Sequence, residues 1–174
     1  MNLIKSNGIT FGILLGLVSA AITAAIYTID LHLFVSWWLG LCIIAVNAVL
    51  FVVALTTTKK QLGGIFTFKD AFTTYFIIAV IGLTFSNAFI YVLFNLVDVE
   101  AKAQLADITI EAATKMMSDF GAPQSAIDQA AADMQETDNY SLLNVAKGWV
   151  FSLLTYSVFG LLFALIFRSK PVQQ

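Results

Sequence analysis

Apolar residues fall into four long runs along this chain, and polar stretches separate the runs. The first run, Gly8 to Ile29, contains no charged residue. A bilayer core takes about 20 residues of α-helix to cross, and each run is long enough. We therefore predict four transmembrane helices in a single membrane domain over residues 1–174, and the helices span about 8–29, 34–55, 71–97 and 145–167.

Small residues recur at every fourth position of the first run, and residues four apart lie on one face of a helix. These residues are Gly8, Gly12, Gly16, Ala20 and Ala24. The fourth run carries a similar set, Gly148, Ser152, Gly160 and Ala164. Small residues let membrane helices approach each other closely. We interpret both sets as helix-packing faces and expect the fourth helix to fill the groove of the first.

The segment between the third and fourth runs, about residues 98–143, is acidic, and its apolar residues become periodic. They are spaced alternately four and three residues apart, as on one face of an amphipathic helix, at Val99, Ala103, Ala106, Ile110, Ala113, Met117 and Phe120. Gly121 and Pro123 are typical of a helix stop and restart, and a shorter helix follows from Ser125 to about Glu136. The periodicity favours a helical hairpin, whereas the acidic composition alone would also fit disorder.

The apolar stripe of this hairpin has to be buried against something. It could close on the shorter helix, pack on the membrane surface or meet another protein. The residues that would form a partner surface are Val99, Ala106, Ile110, Met117 and Phe120.

Composition supports a membrane location. Of the 174 residues, 59% are hydrophobic and 11% are charged, whereas soluble domains carry about 25% charged residues. The mean hydropathy is +0.86. A sequence pI near 5.1 argues against nucleic acid as a partner, because nucleic acid needs a basic face.

A basic start before an apolar run also describes a secretory signal, but this run exceeds the core of about 7–15 residues that signals have.

The charged residues predict which way the helices cross. Four crossings place both termini on one side, and the charged residues there are Lys5, Lys59, Lys60, Lys69, Arg168 and Lys170, with Asp70 as the one acid. Acids predominate on the other side. Basic residues in short loops stay cytoplasmic. We therefore expect an all-α integral membrane four-helix bundle of the bacterial inner membrane, with cytoplasmic termini and an extracytoplasmic amphipathic hairpin between the third and fourth helices.

Little in the sequence points to chemistry. No charged residue lies near the middle of a predicted span, although ion-coupled transporters usually keep ionisable groups there. Asn47, Asn87 and Asn95 either bond to neighbouring helices or line a polar path through the membrane. His32 is the only histidine, and we expect it to be a solvated loop residue. Cys42 is the only cysteine, and we expect it to act as a small apolar side chain. We expect no metal, cofactor or catalytic residue.

Two segments carry a resemblance to a known family. Residues 64–72, Gly-Ile-Phe-Thr-Phe-Lys-Asp-Ala-Phe, look like the entry to that family's third helix. Residues 121–128, Gly-Ala-Pro-Gln-Ser-Ala-Ile-Asp, look like the turn between its exterior helices, and the short basic tail is similar as well. The chain resembles the uncharacterised bacterial family catalogued as domain-of-unknown-function family 4199. The resemblance implies a four-helix membrane protein and brings no activity, substrate or functional residue. This chain departs from the family in having little lysine and glutamate in its exterior segment.

Two functions of different classes remain open. The first is a non-enzymatic membrane subunit that binds a protein partner, forms a homo-oligomer or supports an assembly, with the bilayer as its other partner. The alternative is a small oligomeric transporter or channel that uses the neutral polar residues. For the second, Asn47, Asn87 and Asn95 should face one shared cavity.

Overall fold

The computed structural model describes residues 2–169, and these form six α-helices and no strand. The helices are α1 (Leu3–Ile29), α2 (Trp37–Gln61), α3 (Phe68–Val92), α4 (Val99–Asp119), α5 (Gln124–Glu136) and α6 (Leu142–Phe167). A 3₁₀ turn (Leu31–Val35) joins α1 to α2, and a π-helical turn (Leu93–Val97) extends α3. Within the described residues, α1, α2, α6 and α3 with its π turn are long and apolar enough to cross a membrane, which indicates a multi-pass membrane protein.

The membrane helices differ at their ends from the apolar runs that predict them: α1, α3 and α6 begin earlier, whereas α2 begins at Trp37 and not at the predicted residue 34, and it ends later. α1 begins at Leu3, where the side chain of Asn2 caps it by accepting a hydrogen bond from the Ile4 N–H at 3.2 Å. α2 continues to Gln61, so its last turns are helical although their residues are polar. In these turns, the Thr58 hydroxyl donates to the Ala54 carbonyl at 2.8 Å. Hydropathy therefore locates the segment in lipid, whereas capping groups decide where the helix ends.

The groove of α1 is filled by α3, so the expected pairing of the first and fourth membrane helices is wrong. Gly8, Gly12, Gly16 and Ala20 are buried and Ala24 is half-buried. A Cβ on Gly16 would lie 2.6 Å from the Phe85 Cβ, which leaves no room for a larger residue. The contact is reciprocal, because a Cβ on Gly82 of α3 would lie 2.5 Å from the Leu15 side chain. Close approach needs small residues on both helices, and α3 contributes Gly82.

The small residues of α6 pack on α3 instead, and only near its end. Ala164 is fully buried, and a Cβ on Gly160 would lie 2.7 Å from the Tyr75 ring. Ser152 is half-buried. Gly148 has open space around it, so the described contacts give it no packing role. The helix at the centre of this arrangement is therefore α3, which contacts α1, α2 and α6.

Hydrogen bonds tie together the end of the molecule that holds the N-terminus and the α2–α3 loop. The Asn7 amide donates to Gln61 Oε1 at 2.7 Å, and the Lys59 ammonium donates to the Phe167 carbonyl at 2.9 Å, which caps α6. The Ser169 N–H donates to the Phe66 carbonyl at 2.7 Å, and the Phe66 N–H donates to the Ser169 hydroxyl oxygen at 2.8 Å. The Phe66 residue is fully buried. Lys5, Lys59, Lys60, Lys69 and Arg168 therefore share one end, while Lys170, the last of the predicted basic set, lies outside the described residues.

Candidate functional site

The opposite end of the molecule carries a network of polar side chains that we call the hairpin-base cluster, defined as Asn95, Lys102, Asp138 and Tyr140. The Lys102 ammonium donates to Asp138 Oδ2 at 3.0 Å and to Asn95 Oδ1 at 3.3 Å. The Asn95 amide donates to the Tyr140 carbonyl at 2.9 Å. The Lys102 ammonium lowers the pKa of the Asp138 carboxyl below its usual range. The cluster thus joins the end of α3, the start of α4 and the segment before α6.

A second contact fixes the start of α4 to the end of α1. The Tyr27 hydroxyl donates to Asp98 Oδ2 at 2.6 Å, while Asp98 Oδ1 accepts from the Ala101 N–H at 2.9 Å and so caps α4. The Tyr27 hydrogen bond is the main reason that the pKa of Asp98 is lowered, because it stabilises the charged carboxylate. Asp98 therefore acts as a helix cap and as a bond between elements distant in sequence.

Apolar packing reinforces these contacts. Phe94, Ala101 and Leu105 are buried together with Leu93. The Phe94 ring lies 5.1 Å from the Tyr140 ring, between centroids. The predicted stripe does not contain Ala101 or Leu105, so sequence reasoning missed this face of α4. Their spacing of four residues is a helical signal, but the adjacent heptad pattern masks it.

The α4–α5 hairpin (residues 99–136) is present, and its stripe closes mostly on itself. Ala106, Ile110 and Met117 are half-buried, and α4 packs against α5, where Ile127 is buried. Gly121 makes the turn with φ +77°, a backbone conformation that glycine adopts readily. Two residues of the predicted partner surface are open, because Val99 is 56% exposed and Phe120 86% exposed. The available surface is therefore at the two ends of the stripe.

Charge on the hairpin is one-sided. α4 and α5 together carry two lysines, Lys102 and Lys115, and Lys102 is already engaged in the hairpin-base cluster. Their acids are Glu100, Asp107, Glu111, Asp119, Asp128, Asp133 and Glu136. The exposed apolar residues at the tip, Met116 and Phe120, thus belong to a hairpin with seven acids and two lysines, of which Lys115 is next to Met116 in the sequence.

The three asparagines of the predicted polar path lie in three different places. The Asn87 amide donates to the Leu83 carbonyl of its own helix at 2.8 Å, and Asn95 belongs to the hairpin-base cluster. Asn47 lines a polar cavity between the membrane helices, next to Tyr156, whereas Asn87 lines a separate, mainly apolar groove between α3 and α6. The three asparagines therefore have separate surroundings.

His32 and Cys42 lie apart from these features. The His32 ring nitrogen Nδ1 is 2.9 Å from Asp30 Oδ1, and both side chains are exposed. Hydrogen bonds from His32 hold the pKa of Asp30 below its usual range. Cys42 is exposed on α2. Among residues 2–169, no group of three or more histidine, cysteine and acidic side chains is placed to hold a metal ion.

Comparison with known proteins gives one match. Residues 10–169 match the model of a family described as protein of unknown function (DUF4199). No curated protein and no solved structure matches the chain.

Proposed function

This chain belongs to the DUF4199 family, as the sequence predicts, and on that premise we propose that it is a non-enzymatic membrane subunit whose acidic hairpin binds a basic protein. The family description states no activity, so the geometry of the hairpin supports the proposal. The proposal includes a bacterial inner-membrane location, with both termini in the cytoplasm and the hairpin outside.

One observation carries the proposal: the hairpin is fixed at its base and open at its tip. Leu105, near the start of α4, is buried against the membrane-helix ends, whereas Phe120, at the far end, is 86% exposed. Covering this phenylalanine with a partner would be favourable, because apolar surface removed from water contributes about 25 cal/mol per Å². The hairpin that carries it has seven acids and two lysines, so the surface that covers it best is basic with an apolar centre, since interfaces join an apolar core to complementary charge.

Charge separation supports the proposed orientation. Lys5, Lys59, Lys60, Lys69 and Arg168 gather at the end that holds the α2–α3 loop, where Lys59 caps α6 and Asp70 completes the capping box of α3, whereas Lys102, Lys115 and Lys147 lie towards the other end. The hairpin with its acids begins at the opposite end, where Tyr27 contacts Asp98. Basic residues near short loops favour the cytoplasmic side, which puts the hairpin on the other side.

Site-specific photocrosslinking in native membranes tests the proposal. A photoreactive residue at Phe120 should trap one discrete protein, and the same residue at Ile65, which is 73% exposed at the other end, should not trap it. The complex should weaken when Glu111→Gln and Asp119→Asn remove two negative charges from the second half of α4, and it should weaken with salt because exposed charges are screened.

The charge variants make the experiment specific. An adduct that is unchanged by both substitutions and by salt would contradict recognition of a basic partner. Adducts of the same pattern from Phe120 and Ile65, or adducts with lipid alone, would contradict a docking role for the tip.

The transporter alternative has one supporting observation, the cavity beside Asn47. However, Asn87 and Asn95 are bonded elsewhere, so a polar path would have to run through Asn47 alone. We therefore favour the partner-binding subunit.

A further inference from the structure

One polar atom in the middle of the membrane helices lacks a partner. Asn47 lies near the midpoint of α2, and its Oδ1 is buried without a hydrogen bond. Its Nδ2 donates to the Tyr156 hydroxyl of α6 over a long 3.5 Å. Rotating the amide by half a turn would exchange the two atoms and leave a donor unpaired instead. In either orientation, the amide has capacity for one more hydrogen bond, and leaving it unused costs about 1–3 kcal/mol.

A small cavity lies at this amide, and every membrane helix contributes to its wall. Its volume is about 140 Å³, and its polar lining comes from Ser19, Thr23, Asn47, Ser86 and Tyr156. None of its lining residues is charged. The cavity therefore offers hydrogen bonds to a neutral polar group.

An apolar groove adjoins this cavity, and Asn47 and Tyr156 line both. The groove has a volume of about 350 Å³. Its apolar walls come from α2, α3 and α6, namely Ile44, Ala48, Phe51, Tyr75, Phe159 and Phe163. Phe159 is 52% exposed on the surface that faces lipid in a membrane, so the groove can be entered from the bilayer. Polar and apolar parts together fall in the range of about 300–1,000 Å³ that is typical of ligand sites.

We propose that this site binds an uncharged membrane lipid with a free hydroxyl group, its hydroxyl at Asn47 and Tyr156 and its hydrocarbon chain along Ile44 and Phe159. A hydroxyl both donates and accepts, so it satisfies Asn47 in either orientation of the amide. A charged headgroup does not fit, because burying a charge without a partner in the membrane is expensive and no lining residue is ionised at neutral pH.

Water is the competing occupant of the polar cavity. It would satisfy Asn47, since a cavity of this size holds several molecules. Water does not fill the adjoining groove, whose walls are apolar and aromatic. The two occupants therefore differ in whether a hydrocarbon chain lies against Ile44 and Phe159.

Photolabelling of the full-length protein in phosphatidylcholine nanodiscs tests the proposal. The probe is a long-chain alcohol with a diazirine in its chain, and its methyl ether, which cannot donate a hydrogen bond, is the matched probe. Label from the alcohol should map to the α2 and α6 residues of the groove, about fivefold or more above label from the ether, because one hydrogen bond distinguishes them.

Two substitutions test the site itself. Tyr156→Phe keeps the ring and removes the hydroxyl, and Asn47→Leu removes the amide. Each should reduce labelling by the alcohol to the level of the ether. Asn87→Leu is the control, because its amide already bonds to Leu83 and lines neither cavity, and it should leave labelling unchanged.

Three outcomes would overturn the proposal. They are equal labelling by alcohol and ether, labelling that Tyr156→Phe and Asn47→Leu do not change, and absence of label from these helices with both probes, which leaves water as the occupant. If Asn47→Leu fails to fold, Tyr156→Phe still decides the question, because its ring preserves the packing against Phe51.

Discussion

Glycines that look alike in the sequence differ in what a larger side chain would meet. Gly16 faces Phe85 at a distance that leaves no room for a Cβ, whereas Gly148 has nothing within 4 Å. Spacing of small residues predicts both as packing positions, because it identifies a face and not its neighbour. Whether a helix face is covered depends on the partner helix, and no local pattern in the sequence contains that information.

We predict that Gly16→Leu lowers the thermal stability of the protein in detergent. The leucine forces α1 away from α3, and overpacking of this kind costs about 1–3 kcal/mol. Gly148→Leu is the matched control and should melt close to the unaltered protein. Thermal unfolding followed by circular dichroism measures the melting temperature of both variants. Equal melting temperatures would contradict the close contact between α1 and α3 at Gly16.

The contact between Tyr27 and Asp98 shows a second limit at the residue scale. The two residues are 71 positions apart, and each has an ordinary local explanation, an aromatic near a membrane boundary and an acid before a helix. The helix cap can be predicted from the sequence, since aspartate is a favoured N-cap residue. The tyrosine that donates to it cannot, because the crossing of α1 and α3 determines which side chains meet.

At the scale of elements, the number and kinds of helices could be predicted, but their exact ends and their partners could not. The α4–α5 hairpin follows from its heptad stripe and from Gly121-Ala122-Pro123, and the structure contains both helices. The four membrane helices follow from hydropathy. The pairing of α1 with α3 does not, because lipid-facing and helix-facing residues are equally apolar in a membrane.

The docking of α4 leads to a prediction about Leu105. This residue is 1% exposed in the cluster with Phe94, so Leu105→Ala should destabilise the start of α4 by about 2–5 kcal/mol, the usual cost of such a cavity. Hydrogen exchange across residues 99–136 should increase while exchange in α1 and α3 stays unchanged.

Met116→Ala provides the control for this prediction. Met116 lies on the same helix and is 57% exposed, so its truncation should leave hydrogen exchange in the hairpin unaltered. If the two variants exchange alike, then Leu105 does not anchor the hairpin, and the fixed base on which the proposed partner binding depends would be lost.

At the scale of the whole molecule, hydrogen bonds join different elements at each of two ends, and the two ends differ in charge. Asn7, Gln61 and Ser169 mark the basic end, and the hairpin-base cluster marks the acidic one. The sequence predicts this separation because an even number of crossings returns the chain to its first side. The site between the helices, at Asn47 and Tyr156, could not be predicted, because residues 109 positions apart build it.

Labelling of single cysteines from one side of the membrane tests the orientation. In a Cys42→Ser background, Phe120→Cys and Ile65→Cys place thiols at exposed positions of opposite ends. A maleimide that cannot cross membranes should label the thiol at position 120 in intact spheroplasts and the thiol at 65 only after permeabilisation. The reverse pattern would invert the protein and place the acidic hairpin in the cytoplasm. Labelling of both from outside would mean that the two ends lie on one side, which an arrangement with four crossings does not allow. The expected pattern follows from the lysines of the short α2–α3 loop, because Lys and Arg in short loops stay on the cytoplasmic side, whereas Asp and Glu contribute little to orientation.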